Sequence, residues 1–405
     1  MFSNSAAWIE APFADLVVRP SPVPTPGPGQ VVVQVRAVAV NPLDAIVQSN
    51  GRLMYRWLDY PVVLGEDVAG VVVGVGEGVH RFVVGDRVVG YATGLEKGRD
   101  HVSGGGFQHL VAVDEALAAP IPDEVAFEDA AVMPLALSTA AAALFEQSQL
   151  GLDHTRLGHT RLGHSMPDHA APEQETVAGS SRDDEIVVVW GGTTSVGSNA
   201  IQLARAAGYR VVTTASARHH DSLRALGAEA VFDYHDADVV SSVVAATQGA
   251  RVVGVVAIAV GSAEPCVEIA GRTGARRVAL TSPSVSFYDQ PRRPGLAWSR
   301  VRLMTRLVWS NVTLQAQCLR HGVRARFVWG SAIATSAVGP AVWSDYLPGA
   351  LADGRHRLAP QPRVVGRDLG ALQAAIDTLR GGVSAQKLVV TLPGTAATGG
   401  TTKAP

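Results

Sequence analysis

A chain of 405 residues, 47% hydrophobic and 17% charged, is long enough for two domains around a large core, and its composition is far from that of a disordered protein. A formal net charge of −2 gives no reason to expect nucleic acid or an anionic membrane surface as a partner. Two cysteines, Cys266 and Cys318, argue against a disulfide framework and make a reducing, cytoplasmic interior the expectation.

The N-terminal stretch MFSNSAAWIEAPFADLVV lacks a basic region followed by an apolar core, so no signal peptide is expected. No run of about 18 uninterrupted apolar residues occurs, so no membrane span is expected. Residues 1–120 read as strands and turns. PSPVPTPGPGQ (20–30) is a connector that cannot be regular structure. VVVQVRAVAV (31–40), PVVLGEDVAGVVVGVGEGV (61–79) and FVVGDRVVGYAT (82–93) are valine runs broken by glycines, which is the pattern of an all-β, barrel-like unit.

The pattern changes near residue 124. EVAFEDAAVMPLALSTAAAALFEQSQL has apolar residues at near-helical spacing. Strands and helices then alternate. EIVVVW (185–190), YRVVTTAS (209–216), EAVFDY (229–234), VVGVVAIAV (252–260) and ARRVALTS (275–282) read as strands. The intervening SNAIQLARAAG (198–208), HDSLRALG (220–227), VVSSVVAAT and EPCVEIAG read as helices. Such alternation specifies a doubly wound parallel sheet. The tail (364–392) offers one helix, GALQAAIDTLRGG, and one strand, QKLVVTL.

Two segments stand outside this scheme. Residues 151–185 contain the unit HTRLG twice, with histidines at 154, 159, 164 and 169. A spacing of five fits neither helix nor strand, so a surface loop duplication is expected rather than a histidine metal site. DQPRRPGLAWSRVRLMTRLVWSN (289–311) is basic and apolar by turns. An irregular surface insertion is expected there, with an amphipathic interaction helix as the alternative.

The stretch VVVWGGTTSVGSNAIQLARAAG (187–208) runs from a strand through a glycine turn into a helix. Free backbone N–H groups and the positive helix end make that turn a pyrophosphate site. Gly192 supplies the first glycine of the usual pattern and Gly197 the third, while Thr194 holds the middle place. A threonine there still approaches a phosphate and adds a hydroxyl donor.

The end of the next strand selects the cofactor. NAD enzymes usually place an acid there to accept from the ribose 2′-OH. TTASARHH (213–220) has none, and offers Ser216, Arg218 and His219 as donors. An arginine binds a 2′-phosphate through charge-assisted bonds worth roughly 1.5–3 kcal/mol each. NADPH is therefore expected over NADH.

Four stretches in one order, VNPLDAIVQ (40–48), LGEDVAGVVVGVG (64–76), VGDRVVG (84–90) and the nucleotide turn, resemble the medium-chain dehydrogenase/reductase superfamily over most of residues 5–392. The resemblance implies an α/β architecture: a GroES-like β-barrel catalytic domain (1–125, completed by 335–405) and a Rossmann-like, doubly wound parallel-sheet cofactor domain (126–334) with a loop insertion at 151–185. The active site would lie in the cleft between them. PLALSTAAAALFE, VVWGGTTSVGSNAIQLA, FDYHDADVV and VSAQKLVVTL are similar to the zinc-independent quinone oxidoreductase and trans-acting enoyl reductase branch.

Zinc members of the superfamily need a catalytic cysteine and histidine. Here NPLD carries no cysteine, and LGEDVAG places Glu66 where the histidine belongs. No metal is expected, and without one nothing evident polarises an alkoxide for simple alcohol oxidation.

The resemblance carries further residues over. Asn41 and Asp44 match the loop beside the nicotinamide, and Thr139 a contact to its ribose or amide. Thr193, Thr194, Ser195 and Val196 match the pyrophosphate turn, and Ser216, Arg218 and His219 the 2′-phosphate site. Tyr234 matches a tyrosine at the adenosine end, and Lys387 and Val389 the strand returning to the cofactor. Asn41, Asp44, Thr139 and Tyr234 also have plain structural readings as caps or core. Ile46 and Ala257 depart from relatives, which commonly carry a polar residue and an aspartate there. The implied reaction is NADPH-dependent reduction of an activated C=C bond in a small-molecule or acyl substrate. No proton donor is named, although Tyr55 and Tyr60 lie in a loop that could face the cleft. Quinone reduction, and NADPH binding without turnover, are the alternatives. A polyketide synthase partner is implied by the resemblance alone.

Overall fold

The valine-rich stretches near the N-terminus pair with one another and with the last strand of the chain. The computed structural model describes residues 3–157, 184–285 and 298–394, and only the backbone of residues 52, 53, 299 and 300. One sheet runs in the order Gln361–Gly366, Gln386–Thr391, Gln30–Ala39, Asp67–Val75, Arg87–Tyr91, Ala118–Pro120, with Leu110–Asp114 also paired to Gln30–Ala39. Its pairs are antiparallel except the first. A small sheet of Leu16–Ser21, Asn4–Ile9 and Val62–Val63 accompanies it. Alternate residues of these strands point inward, as the pleat requires. Val33, Val35, Val68, Val72 and Leu388 thus share one buried cluster.

The alternating half forms a six-stranded, wholly parallel sheet. Its order is Ala230–Phe232, Arg210–Thr214, Glu185–Trp190, Arg251–Ala257, Arg277–Leu280, Arg324–Phe327. The order reverses beside Glu185–Trp190, and ligands of such sheets bind outside the carboxyl ends of the strands at that point. The two halves are joined by helix Pro134–Phe145, buried on nearly every side. Its cluster draws Ala37, Ala69 and Val89 from one sheet and Val187 and Val189 from the other. The stretch Phe127–Phe145 is apolar enough to cross a membrane by length and composition, with mean hydropathy 1.3, but 78% of it is buried inside the fold. Burial on all sides explains an all-round apolar helix without a bilayer.

The structure corrects the sequence reading in four places. The segment expected as an irregular insertion at 289–311 is helical from Trp298 on, in a helix that runs to His321; residues 289–297 lie outside the described residues. Leu303, Leu314 and Cys318 are buried along one side of it. The stretch read as helical near 124–150 is two helices, Phe127–Ala130 and Pro134–Phe145, with Pro134 opening the second. The motif VNPLDAIVQ opens a helix, Pro42–Met54, that the strand-and-turn reading of residues 1–120 did not contain. The tail holds a further strand, Gln361–Gly366. Most of the HTRLG repeat lies outside the described residues; His154, which is described, sits edge-on to Phe145.

Candidate nucleotide and reaction site

The strand Glu185–Trp190 delivers the chain into the turn, where Gly191 has φ +91°. That left-handed conformation favours glycine. A Cβ on Gly197 would lie 2.2 Å from the Gly191 carbonyl oxygen, so the helix can close on the strand only with glycine there. A Cβ on Gly192 would meet Thr213 Oγ1 at 2.4 Å. The N–H groups of Thr193, Ser195 and Val196 have no partner among the described residues and lie at the mouth of helix Ser195–Ala206. They are the donors that a helix N-terminus offers to a pyrophosphate.

Thr194 has a different part from the one expected. Its Oγ1 accepts from Gly197 N at 3.0 Å and donates to the Gly191 carbonyl at 2.8 Å. The hydroxyl is therefore the N-cap of the helix and a staple of the turn. It is not a spare phosphate donor, because its proton is already given away. The same helix is anchored farther along. Asn199 Oδ1 meets His356 Nε2 at 2.9 Å, and His356 Nδ1 meets Tyr346 Oη at 3.3 Å. Burial pushes His356 down to about 4, which keeps the ring neutral near pH 7.

The cofactor-selecting residues converge at the end of strand Arg210–Thr214. Ser216 Oγ donates to Tyr234 Oη at 3.3 Å, and Arg218 Nε donates to His219 Nε2 at 3.0 Å. Arg218 Nη2 reaches Ser384 Oγ at 3.4 Å. The Tyr234 ring lies 4.1 Å from the His235 ring, centroid to centroid, and is 44% exposed. An acid also arrives here from the end of the following strand, outside the stretch 213–220. Asp233 accepts from Ala217 N, His235 N and His235 Nδ1 at 3.0, 3.0 and 2.7 Å. Those bonds, His235 N first, hold its carboxyl below the usual range. The carboxylate is thus bound within the chain, where it fixes the loop that presents Arg218.

Asn41, Asp44 and Lys387 are drawn into one buried network. Asp44 reaches back to Asn41 N at 2.7 Å, which caps helix Pro42–Met54, and accepts from Gly65 N at 3.2 Å. Asn41 Nδ2 donates to Asp67 Oδ2 at 2.9 Å, and Lys387 Nζ donates to Asn41 Oδ1. Lys387 Nζ also pairs with Asp67 Oδ2 at 2.9 Å, while Leu135 N donates to Asp67 Oδ1 at 2.6 Å. Asp67 is a residue that sequence reasoning missed, and it ties the barrel half to helix Pro134–Phe145. Burial pushes the Asp44 carboxyl up to about 7. Val389 packs in the main core. Thr139 sits against Gly330, whose Cβ, if present, would be 2.5 Å from Thr139 Oγ1.

Trp329 closes the seam between the halves. Its Nε1 donates to Glu96 Oε1 and Oε2 at 3.2 and 3.1 Å, and its ring lies 5.3 Å from that of Tyr55. Tyr55 is buried, and burial raises its phenol far above the ordinary range. It would be a poor proton donor.

Comparison with known proteins agrees with this geometry. Residues 27–123 match the alcohol dehydrogenase GroES-like domain family, and residues 195–280 match the family described as zinc-binding dehydrogenase. The chain is 39% identical over 394 residues to the dehydrogenase pigH of Monascus ruber, covering 97% of this chain and 100% of that protein. It is 37% identical over 391 residues to the trans-enoyl reductase himH of Aspergillus japonicus, covering 96% and 97%. The crystal structure of the CurK enoyl reductase superposes with a TM-score of 0.65 at 17% identity, over 96% of this chain and 99% of that one, and speaks for the fold alone.

The chain belongs to the medium-chain dehydrogenase/reductase superfamily. It is an oxidoreductase, and its parallel-sheet half is the superfamily's nucleotide-binding domain, which takes a pyridine nucleotide.

The second family's description raises the question of zinc, which takes cysteine, histidine or carboxylate ligands. Cys266 and Cys318 are buried in the core of the parallel sheet. Both carboxyl oxygens of Asp44 and of Asp67 already accept hydrogen bonds from the chain. Only Glu66 has free oxygens among these acids, and one carboxyl does not hold zinc. Among the described residues no group of three His, Cys, Asp or Glu side chains is placed to hold a metal ion. The described side chains around the seam do not fit a zinc site.

Proposed function

We propose that this protein is an NADPH-dependent reductase of activated C=C bonds, of the enoyl or enone type, working without a metal. The observation that carries the cofactor reading is the convergence of Ser216, Arg218, His219 and Tyr234 beside the loop that Asp233 fixes. The end of strand Arg210–Thr214 carries no acid of its own, the Asp233 carboxylate is turned to Ala217 N and His235, and Arg218 is exposed to meet a 2′-phosphate. The substrate class is supported by the likeness to a protein named as a trans-enoyl reductase over nearly the whole chain.

Bound NADPH would supply the hydride. The chain's own residues do the rest. The N–H groups of Thr193, Ser195 and Val196 take the pyrophosphate. Arg218, with Ser216 and Tyr234 beside it, takes the 2′-phosphate. Thr139, Trp329 and Gly330 shape the seam from the cofactor side, and the Asn41–Asp67–Lys387 network holds the opposite wall.

The test is a fluorescence titration of chelator-treated protein with NADPH and NADH side by side, followed by turnover with enones, acyl thioesters and quinones. Tighter NADPH binding without metal, and oxidation of NADPH by an enone or enoyl thioester, is the expected result. Preference for NADH, or a requirement for zinc, overturns the cofactor reading. Turnover with quinones alone makes it a quinone reductase. Oxidation by none of the acceptors leaves an NADPH-binding protein.

A further inference from the structure

Glu66 stands at the mouth of strand Asp67–Val75, and its side chain is wholly buried. Neither carboxyl oxygen has a hydrogen-bond partner among the described residues. Buried polar groups in native proteins are nearly always paired, and an orphan calls for a physical reason. A buried ionised carboxylate without a partner is far too costly to persist, so the group is a neutral acid that carries a proton.

Its electrostatic surroundings favour the same form. Asp44 from helix Pro42–Met54, Asp67 from the adjoining strand and Glu96 from the turn beyond Arg87–Tyr91 are the acids facing it. Lys387, on strand Gln386–Thr391, is the one facing cation among the described residues, and Asp67 already pairs with it. Tyr55 and Tyr91 are the remaining titratable neighbours. Burial, followed by these acids, raises the Glu66 carboxyl well above the usual range. A neutral carboxylic acid is an O–H donor, and among the described residues it has nothing to donate to.

The place of this donor narrows what could accept from it. Tyr55 packs against Trp329, and Glu96 accepts from Trp329 Nε1, so two of the neighbours of Glu66 form the seam where the barrel half meets the nucleotide half. An acceptor for this donor would have to be an oxygen that enters the seam. A carboxylate or phosphate would have to shed its water to enter beside these acids, whereas a carbonyl is neutral as it enters.

We propose that Glu66 donates a hydrogen bond from its neutral carboxyl to the carbonyl oxygen conjugated with the C=C bond being reduced. This rests on the reading of the protein as a C=C reductase. Hydride addition at the β-carbon moves the C=C electron pair toward the carbonyl carbon and the carbonyl pair onto its oxygen. Glu66 then faces an enolate oxygen, to which its bond is charge-assisted and stronger than to the ground-state carbonyl. The α-carbon takes a proton from water, the carbonyl re-forms, and Glu66 ends with the proton it began with. The group does for the enolate what a metal ion would do by Lewis acidity.

The experiment compares wild type with Glu66→Gln and Glu66→Ala. Glutamine keeps an N–H donor, so E66Q should retain kcat within about tenfold, whereas E66A should lose about 100-fold in kcat with little change in NADPH affinity. The wild-type rate should fall as pH rises through the raised carboxyl value, because the carboxylate can no longer donate; E66Q should lack that limb. A second readout needs no turnover. Difference infrared spectra of cofactor-free protein should show a protonated-carboxyl band that E66Q lacks and that shifts when cyclohexenone is added. The proposal falls if E66A keeps kcat within about threefold of wild type, if E66Q retains the alkaline limb, or if the band is missing or does not respond to the enone. If wild type reduces no enone at all, the reductase reading fails on its own, and the infrared shift still decides whether Glu66 meets a carbonyl. Should E66A not fold, E66Q and the infrared band carry the decision.

Discussion

The nucleotide turn and the buried charge network hold their residues in opposite ways. The turn is built from backbone and small side chains, and its bonds link residues 3 to 23 positions apart. The network is built from side chains of three separate elements with a backbone N–H from a fourth, and the bond from Lys387 to Asn41 spans 346 positions. The first leaves donors facing outward for a ligand. The second consumes almost every polar atom internally, with Glu66 as the exception. A site made of backbone is stated by a short stretch of sequence, whereas one made of distant side chains exists only after folding.

That difference explains what could be read in advance. The strand Glu185–Trp190, the helix after it and the glycines between them follow from local spacing, and so does the parallel sheet. Asn41, Asp44 and Lys387 are legible only through family likeness, and Asp67 is not legible at all, because nothing local says that an aspartate on a valine strand will meet a lysine near the other end of the chain. Helix Pro42–Met54 was hidden by Asn50 and Gly51, both poor helix formers, and Asn50 departs from helical geometry, with φ −137° and ψ 21°. Helix Trp298–His321 was hidden for another reason. Trp298, Val301, Val308, Trp309, Val312 and Leu319 are exposed along it, while Leu303, Leu314 and Cys318 are buried. Apolar residues on both sides blur the helical period that would have announced it.

The comparison is sharpest where the network is broken. Replacing Lys387 by methionine leaves the Asp67 carboxylate buried without its cation. Removing one partner of a buried ion pair typically costs about 3–5 kcal/mol, so urea unfolding of K387M should show a loss of that order. A loss below about 1 kcal/mol would mean that Asn41 and Leu135 N alone satisfy Asp67, and that the network is a hydrogen-bond frame rather than an ion pair.

The nucleotide side should respond in binding more than in stability. Arg218 is exposed, so Arg218→Ala should leave unfolding nearly unchanged while weakening NADPH by one charge-assisted bond, about 1.5–3 kcal/mol, with NADH much less affected. Side-by-side titration checks it, and equal losses for both cofactors would sink the 2′-phosphate reading. Gly197→Ala forces a Cβ against the Gly191 carbonyl, an atom of the backbone that cannot rotate away. The turn must open, and affinity for both cofactors should drop by at least tenfold, about 1.4 kcal/mol, without discrimination between them. R218A and G197A together separate recognition of the 2′-phosphate from recognition of the pyrophosphate.

Thr194 should give the smallest effect, and it tests which kind of site the turn is. If its hydroxyl served the phosphate, Thr194→Ala would weaken the cofactor and barely touch stability. The structure commits that hydroxyl to Gly197 N and the Gly191 carbonyl, so its loss is the loss of an N-cap. The expected cost is about 1 kcal/mol of stability, measured by urea unfolding. Cofactor affinity should fall only by the share of that loosening felt at the Thr193, Ser195 and Val196 N–H groups. Thr194→Ser keeps the cap and should restore both properties. If T194A instead weakened NADPH by tenfold at unchanged stability, the hydroxyl would turn toward the ligand on binding, and the turn would be a side-chain site after all.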